Sequence, residues 1–119
     1  MDSLVNLAYD RLLEFIFQQS HVALIAEEGG ERLGFLLLLD RLPEDVSLAP
    51  QAYVAYMAVE PAQQRRGIGR ALLNAAEEVA RQRGLPAIAM MVTEGNVPAL
   101  ELYTSSGYRT ERRVLCKPL

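Results

Sequence analysis

A glycine- and arginine-rich segment lies between an apolar run and a long amphipathic pattern. It reads Gln64-Arg65-Arg66-Gly67-Ile68-Gly69-Arg70, followed by Ala71. Free backbone N–H groups and the helix dipole at a helix start can hold a phosphate, and glycines let the backbone approach it closely. Three arginines at a helix start oppose the macrodipole by a few tenths of a kcal/mol to about one each, so this placement favours a bound anion. The alternative is a solvated basic turn in which the glycines serve only chain geometry.

Two common phosphate-binding motifs do not fit this segment. A P-loop requires Gly-Lys-Ser or Gly-Lys-Thr, whereas Gly69 is followed by Arg70 and Ala71. A dinucleotide fingerprint requires a third glycine where Leu72 stands, although Glu94 is the type of acid that such a site uses. An ordinary nucleotide-binding domain is therefore the weaker interpretation.

Composition restricts the class of protein. The chain has 119 residues, 50% apolar and 23% charged, which predicts one compact domain over residues 1–119. Its net charge of −3 argues against general binding of nucleic acid or of an acidic membrane. With a single histidine, His21, and a single cysteine, Cys116, no metal site of the common zinc kinds is expected, and the lone cysteine favours a reduced, cytoplasmic setting. The run from Leu33 to Leu39 is too short to span a membrane, and the N-terminus has no basic region typical of a secretory signal.

Two apolar runs flank the glycine- and arginine-rich segment. Ala52 to Val59 and Ala87 to Thr93 are nearly continuously apolar, as strands covered on both faces are. Between them a helix is predicted that Gly84 and Pro86 end. Strand, helix and strand then form a βαβ unit with parallel neighbouring strands. The apolar positions of the helix are Ile68, Ala71, Leu72, Ala75, Ala76, Val79 and Ala80.

The rest of the chain predicts further elements. Residues 4–19 have helical apolar spacing, and His21 to Ala26 and Leu33 to Leu39 predict an antiparallel hairpin around Glu28-Gly29-Gly30-Glu31. Arg41 to Gln51 is predicted to be a surface loop that shapes a pocket. Pro98 to Ser105 predicts a short helix ended by Gly107, and Tyr108 onward a final strand.

A second motif follows the second apolar run: Asn96-x-x-Ala99-x-x-Leu102-Tyr103-x-x-x-Gly107-Tyr108. Together with Val59-Glu60-Pro61 and Gln64-x-x-Gly67-x-Gly69-x-Ala71, it resembles the GCN5-related N-acetyltransferases, the GNAT superfamily. The resemblance covers residues 52–108 closely and the hairpin loosely. It implies an α/β fold with a mixed central sheet, splayed parallel strands and flanking helices. The first strand of that family, which helps to build the acceptor pocket, is expected to be missing here.

The resemblance also implies a mechanism that needs no metal. Acetyl-CoA would lie between the splayed strands, with its pyrophosphate on the loop amides and its pantetheine arm along the central strand. Tyr103 would protonate the leaving thiolate and the Val59 amide would stabilise the oxyanion; the alternative for Tyr103 is a tyrosine that only packs. The expected donor-binding residues are Met57, Ala58, Val59, Gln64, Arg65, Arg66, Gly67, Ile68, Gly69, Arg70, Ala71, Asn96 and Tyr103.

The sequence offers several candidates for the base and more than one class of acceptor. Some family members carry a glutamate where this chain has Tyr53; Tyr53 acting through water, Glu94, Glu44 and Asp45 are the candidates. The predicted activity is acetyl transfer to a primary amine of a small molecule or a protein. A non-catalytic acyl-CoA-binding or regulatory module is the alternative. The exposed edge of the strand at His21 to Ala26, and the apolar Phe15-Ile16-Phe17, predict a homodimer.

Overall fold

The computed structural model describes residue 18 and residues 20–44, 46–64 and 66–119. In this part of the chain four strands form one sheet in the order β1-β2-β3-β4. The strands are β1 (His21–Glu28), β2 (Glu31–Pro43), β3 (Pro50–Val59) and β4 (Ile88–Met90). The α-helices are α1 (Ile68–Gln82) and α2 (Val97–Ser105), and Pro61–Gln63 is a 3-10 turn. The predicted α/β class, with a mixed sheet flanked by helices, is confirmed.

The predicted hairpin is present. β1 pairs antiparallel with β2 up to Glu28 opposite Glu31. The two residues between them, Gly29 and Gly30, have φ values of 59° and 83°. A two-residue turn with positive φ at both positions matches the right-handed twist of the strands, which is why glycines connect them.

The main core lies between the sheet and α1. Leu36 and Leu38 of β2 are fully buried there, as is Leu73 of α1. A smaller cluster around Leu37 and Leu39 lies on the opposite face of β2. Both faces of the central strands are therefore apolar, as their continuous hydrophobic runs predicted.

Several predicted boundaries are wrong. The loop is shorter than Arg41 to Gln51, because β2 continues to Pro43 and pairs there with Pro50 at the start of β3. In α1 the residues Ala71 and Ala75 are exposed, and Leu73 is buried instead. Ala76 and Ala80 are buried as predicted, so the buried face of the helix is turned towards Leu73 and away from Ala71 and Ala75.

The C-terminal strands also differ from prediction. β4 ends at Met90 instead of Thr93, and the Met91 side chain is 75% exposed. Residues 109–119 form no strand; all are exposed. The weak alternation of apolar and polar residues here did not produce the predicted strand, because no described strand pairs with this segment. An ion pair between Arg112 and Glu44 anchors this segment to the loop before β3.

Some predictions fall beyond what the structure describes. Apart from Gln18, the predicted helix at 4–19 lies outside the described residues, and so does any strand before it. No helix in the described ranges combines the length and apolar character that crossing a membrane requires.

Candidate active site

A cleft opens where β3 and β4 stop pairing. Their parallel ladder joins Ala52 to Ile88, Tyr53 to Ala89 and Val54 to Met90, and goes no further. β3 nevertheless continues to Val59, paired there only with β2. From Ala55 onward the β4 side of the strand has no strand neighbour among the described residues. The two parallel strands therefore separate beyond this point, as the resemblance predicted.

A β-bulge lies at the same level of β3. Leu37 pairs with Tyr56 and Leu38 with Val54, so Ala55 is the extra residue. A bulge bends a strand and changes the direction of the side chains beyond it. Beyond this one, Met57 and Val59 pack on the core beside α1. The bulge therefore coincides with the end of the β3–β4 pairing and starts the cleft.

The backbone beyond the bulge presents polar groups to the cleft. The Glu60 N–H donates to the Leu33 carbonyl oxygen of β2 at 2.9 Å. Since successive residues of a strand direct their N–H and C=O groups to opposite sides, Ala58 faces β2 whereas Met57 and Val59 face the cleft. Of the three expected strand residues, the geometry thus favours Met57 and Val59 for backbone contact with a ligand.

The start of α1 has open backbone donors. Gly67 is its N-cap, with φ 80°, and neither a side-chain cap nor an acid in the first turn satisfies the helix start. The first helical bond runs from the Ala71 N–H to the Gly67 carbonyl oxygen at 3.0 Å. The N–H groups of Ile68, Gly69 and Arg70 precede that bond and have no acceptor within the helix. An uncapped helix start of this kind fits a phosphate.

The arginine side chains near this helix start are engaged by protein groups. Arg66 binds Glu28 Oε2 at 2.8 Å and also binds Gln63. Arg70 donates to the Ser105 hydroxyl at 2.7 Å and thereby ties α1 to the end of α2. Arg65 lies outside the described residues, and Gln64 is exposed. Each of the two guanidinium groups keeps further N–H groups that these bonds do not use.

Gly69 has a packing role that the sequence did not reveal. A Cβ at this position would lie 3.1 Å from Leu102 Cδ2 of α2 and 3.9 Å from Met57 Cε of β3. The absence of a side chain thus lets the start of α1 lie close to both neighbours. Gly69 therefore shapes the junction of cleft and helix, besides any contact with a phosphate.

Asn96 caps α2. Its Oδ1 accepts a hydrogen bond from the Ala99 N–H at 3.3 Å. Asparagine is a favoured N-cap because its side-chain oxygen satisfies an otherwise free helix donor. Asn96 therefore positions the helix that carries Tyr103, a role distinct from the ligand contact that the resemblance implied.

Tyr103 lies half-buried against the main core. Burial raises the pKa of its phenol above the ordinary value of 10.0, so the hydroxyl stays protonated at neutral pH. The ring of Tyr108 meets it edge-on, with ring centroids 6.2 Å apart. The Tyr108 hydroxyl donates to Glu77 Oε2 of α1 at 3.0 Å. Glu77 was missed by sequence reasoning, because a polar residue on an amphipathic helix gives no sign of its distant partner.

The candidate bases differ in their surroundings. Glu44 accepts hydrogen bonds from the backbone N–H groups of Ser47 at 2.7 Å and Val46 at 3.0 Å. These bonds, the Ser47 bond foremost, lower its pKa to about 2, which makes it a weak proton acceptor at neutral pH. Tyr53 packs with the smaller cluster on the face opposite α1, and Glu94 is exposed. Asp45 lies outside the described residues.

A cavity of about 470 Å³ opens at the end of β3. Its lining includes Ile25, Phe35 and Ala58, with Arg32 and Glu60 as charged members. The loop before β3, which was expected to shape a pocket, does not line it. Within the described ranges no three metal-binding side chains come together.

Comparison with known proteins identifies the family. Residues 3–108 match the family model described as the acetyltransferase (GNAT) family. The chain belongs to the GNAT family of acetyltransferases. The sequence motifs and the cleft at the end of the β3–β4 ladder agree with that membership.

Individual relatives agree with the family assignment. The chain is 37% identical over 84 residues to mycothiol acetyltransferase of Thermomonospora curvata, covering 71% of this chain but only 26% of the relative. It therefore spans about a quarter of that relative's length.

Solved structures extend the likeness to the fold. An acetyl transferase-like protein from Pyrococcus furiosus aligns with a TM-score of 0.86 and 29% identity, over 96% of this chain and 76% of that chain. An aminoglycoside acetyltransferase from an uncultured soil sample aligns with a TM-score of 0.69 and 32% identity, over 94% of this chain and 73% of that chain.

Proposed function

We propose that this GNAT-family chain transfers an acetyl group from acetyl-CoA to a primary amine by direct attack. The neutral amine nitrogen forms a bond to the thioester carbonyl carbon, and the carbon–sulfur bond breaks. The leaving thiolate takes a proton from the Tyr103 hydroxyl. The amine nitrogen loses a proton to a base or to water, which passes a proton back to the Tyr103 phenolate. The products are the amide and free CoA.

The observation that carries the proposal is the continuity of the cleft with the start of α1. The backbone of Met57 and Val59 faces the space left by β4, and β3 leads through the Pro61–Gln63 turn to the uncapped amides of α1. Strand groups suit the amide-bearing pantetheine arm, and the helix start suits the pyrophosphate. The Val59 N–H is then the donor available to the developing oxyanion.

Tyr103 is the proposed general acid. It lies on α2, and Leu102 beside it packs on Gly69 at the start of α1. Its phenol is protonated at neutral pH, because burial raises its pKa above the ordinary 10.0, and so it has a proton to give to a thiolate. The ring of Tyr108 packs edge-on against its ring, and the hydrogen bond from Tyr108 to Glu77 fixes that neighbouring ring.

The proposed acceptor is a small-molecule primary amine. Similar proteins are named for small molecules, mycothiol and aminoglycosides, and this supports the choice over a protein lysine or N-terminus. We further propose a cytoplasmic homodimer, since the single cysteine, Cys116, is exposed and β1 lies at an edge of the described sheet.

Two measurements test the proposal. Acetyl-CoA at about 100 times its Kd should stabilise the domain by about 2.7 kcal/mol, a melting shift of roughly ten degrees for a chain of this size. ATP and NAD should produce much smaller shifts. A panel of small amines and amine-bearing peptides is then assayed for release of free CoA thiol.

The outcomes separate the alternatives. Release of CoA with a small amine supports the transferase. Binding of acetyl-CoA without turnover on any amine supports a non-catalytic acyl-CoA-binding module. A thermal response to ATP with none to acetyl-CoA contradicts both.

A further inference from the structure

The tip of the β1–β2 hairpin reaches the proposed phosphate end of the cleft. Glu28 ends β1, and its Oε2 accepts a hydrogen bond from Arg66 at 2.8 Å. The other terminal nitrogen of Arg66 binds Gln63 of the 3-10 turn. The guanidinium is thus held between two protein partners, one of them a carboxylate 38 positions away in the chain.

Arg66 directly precedes Gly67, the N-cap of α1. Its charge and the uncapped amides of that helix therefore belong to the same end of the cleft. A carboxylate on Arg66 neutralises the cation and repels a second anion at close range. The pair is also solvent-exposed, with side-chain exposures of 46% for Arg66 and 65% for Glu28. Exposed pairs of this kind are weak and readily exchanged.

We propose that Glu28 competes with the phosphates of the acyl donor for Arg66 and so lowers the affinity for phosphate-bearing donors. The inference rests on the proposed function, because it assumes CoA at this end of the cleft. Binding of CoA then releases the hairpin tip from Arg66. The affinity for CoA is lower than the helix start and Arg66 alone would give.

The chain offers a matched control. Glu27 is the neighbouring carboxylate on β1 and pairs with Arg32 instead, at 3.8 Å. Glu27→Gln changes the net charge of the same strand by the same amount and leaves Arg66 untouched. A general electrostatic effect of the hairpin would therefore appear in both variants, and competition at Arg66 only in Glu28→Gln.

The experiment is calorimetric titration of CoA into the wild type, Glu28→Gln, Glu27→Gln, Arg66→Gln and the double variant Glu28→Gln/Arg66→Gln, at low salt. We expect Glu28→Gln to bind CoA about two- to fivefold more tightly than the wild type, as suits an exposed pair. Glu27→Gln should match the wild type. In the Arg66→Gln background the Glu28 substitution should change nothing, because the shared partner is gone.

Other results would overturn the inference. Weaker CoA binding by Glu28→Gln would mean that Glu28 orients Arg66 for the phosphate. An equal gain in Glu27→Gln, or a gain that persists without Arg66, would assign the effect to overall charge. Equal affinity of the wild type and Glu28→Gln overturns this inference alone, whereas absence of CoA binding in every variant overturns the proposed function as well.

Discussion

The ring of Tyr108 meets the ring of Tyr103 edge-on at 6.2 Å, with an angle of 63° between the ring planes. Edge-to-face geometry at this separation is a favourable aromatic arrangement. Because the Tyr108 hydroxyl is bonded to Glu77, α1 holds the ring that packs on Tyr103. The candidate acid on α2 is thus positioned by the helix whose start is the proposed phosphate end of the cleft.

Tyr103→Phe should lower kcat by about ten- to a thousandfold, the range expected for loss of a general acid. The affinity for acetyl-CoA should stay nearly unchanged, since the ring and its contact with Tyr108 remain. Steady-state kinetics and a direct binding titration measure the two quantities. Tyr56→Phe is the control, because it removes the same hydroxyl from a tyrosine elsewhere in the chain. Tyr56 stacks on Phe35, and both residues lie outside the two core clusters. Equal turnover in Tyr103→Phe and the wild type would make Tyr103 a packing residue.

The sequence predicted the elements whose patterns are local. The Gly29-Gly30 turn and the end of α1 shortly before Gly84 follow from positive φ values that glycine adopts at little cost, and both are present. The parallel pairing of β3 with β4 followed from the intervening helix. The length of β4 could not be predicted, because Met91 to Thr93 are as compatible with a strand as Ile88 to Met90 and only the divergence from β3 ends it.

The sequence predicted the loop that starts α1, but it did not predict the contacts between side chains that are distant in the chain. The uncapped start of α1 at Gly67 agrees with the motif. The bonds from Arg66 to Glu28 and from Arg70 to Ser105 join positions far apart in sequence. No periodicity or motif reports such partners, since they depend on the three-dimensional placement of the hairpin and of α2.

Gly34→Ala should destabilise the fold at the edge of the cleft. An added Cβ would lie 2.7 Å from the Ala58 carbonyl oxygen and 3.3 Å from Val59 Cα, so backbone must move. We expect a loss of about 1–3 kcal/mol in the free energy of unfolding, or roughly 3–10 °C in Tm. Binding of CoA should weaken as well, because β3 is displaced beside Val59.

Substitutions at two other glycines provide comparisons for the stability of Gly34→Ala. Gly69→Ala meets the flexible Leu102 side chain at 3.1 Å and should cost less than Gly34→Ala. Gly95→Ala meets nothing within 4 Å and should stay within about 0.5 kcal/mol of the wild type. Thermal melts of the three variants give the order, and a Gly34→Ala protein as stable as Gly95→Ala would contradict the close approach of β2 to β3.

A buried ion pair makes stability depend on acid pH. Asp40 of β2 is 2% exposed and pairs with Arg83 at the end of α1. Burial by itself raises the pKa of Asp40, but hydrogen bonds from Ser20 and Arg83 outweigh it and lower the pKa below 3.8. The resulting stabilisation is complete above the unfolded-state pKa and is lost as the pH falls through the folded-state pKa.

Arg83→Gln should therefore destabilise the protein at pH 7 by about 1–3 kcal/mol, because it removes a donor from a buried carboxylate. The difference from the wild type should shrink as the pH falls through the unfolded-state pKa and then the lowered folded-state pKa of Asp40, because the protonated carboxyl no longer pairs with Arg83. Urea unfolding across this pH range measures it. Arg32→Gln, which removes an exposed pair with Glu27, should cost less than about 1 kcal/mol. If the loss of unfolding free energy in Arg83→Gln did not change with pH, the ion pair with Asp40 could not be its cause.

The proposed homodimer has a structural basis in β1. This strand lies at an edge of the described sheet, and Ile25 on it is 51% exposed. An edge strand with apolar side chains favours association, since its outer backbone groups are available to a second chain. Light scattering over a hundredfold range of micromolar concentrations should give a mass about twice 13.2 kDa. Ile25→Lys should shift the protein towards the monomer, whereas Val46→Lys, at a loop residue that is 76% exposed, should leave the dimer intact. A wild-type mass that stays near 13.2 kDa throughout would refute the dimer, and a dimer that survives Ile25→Lys would place the interface away from this strand.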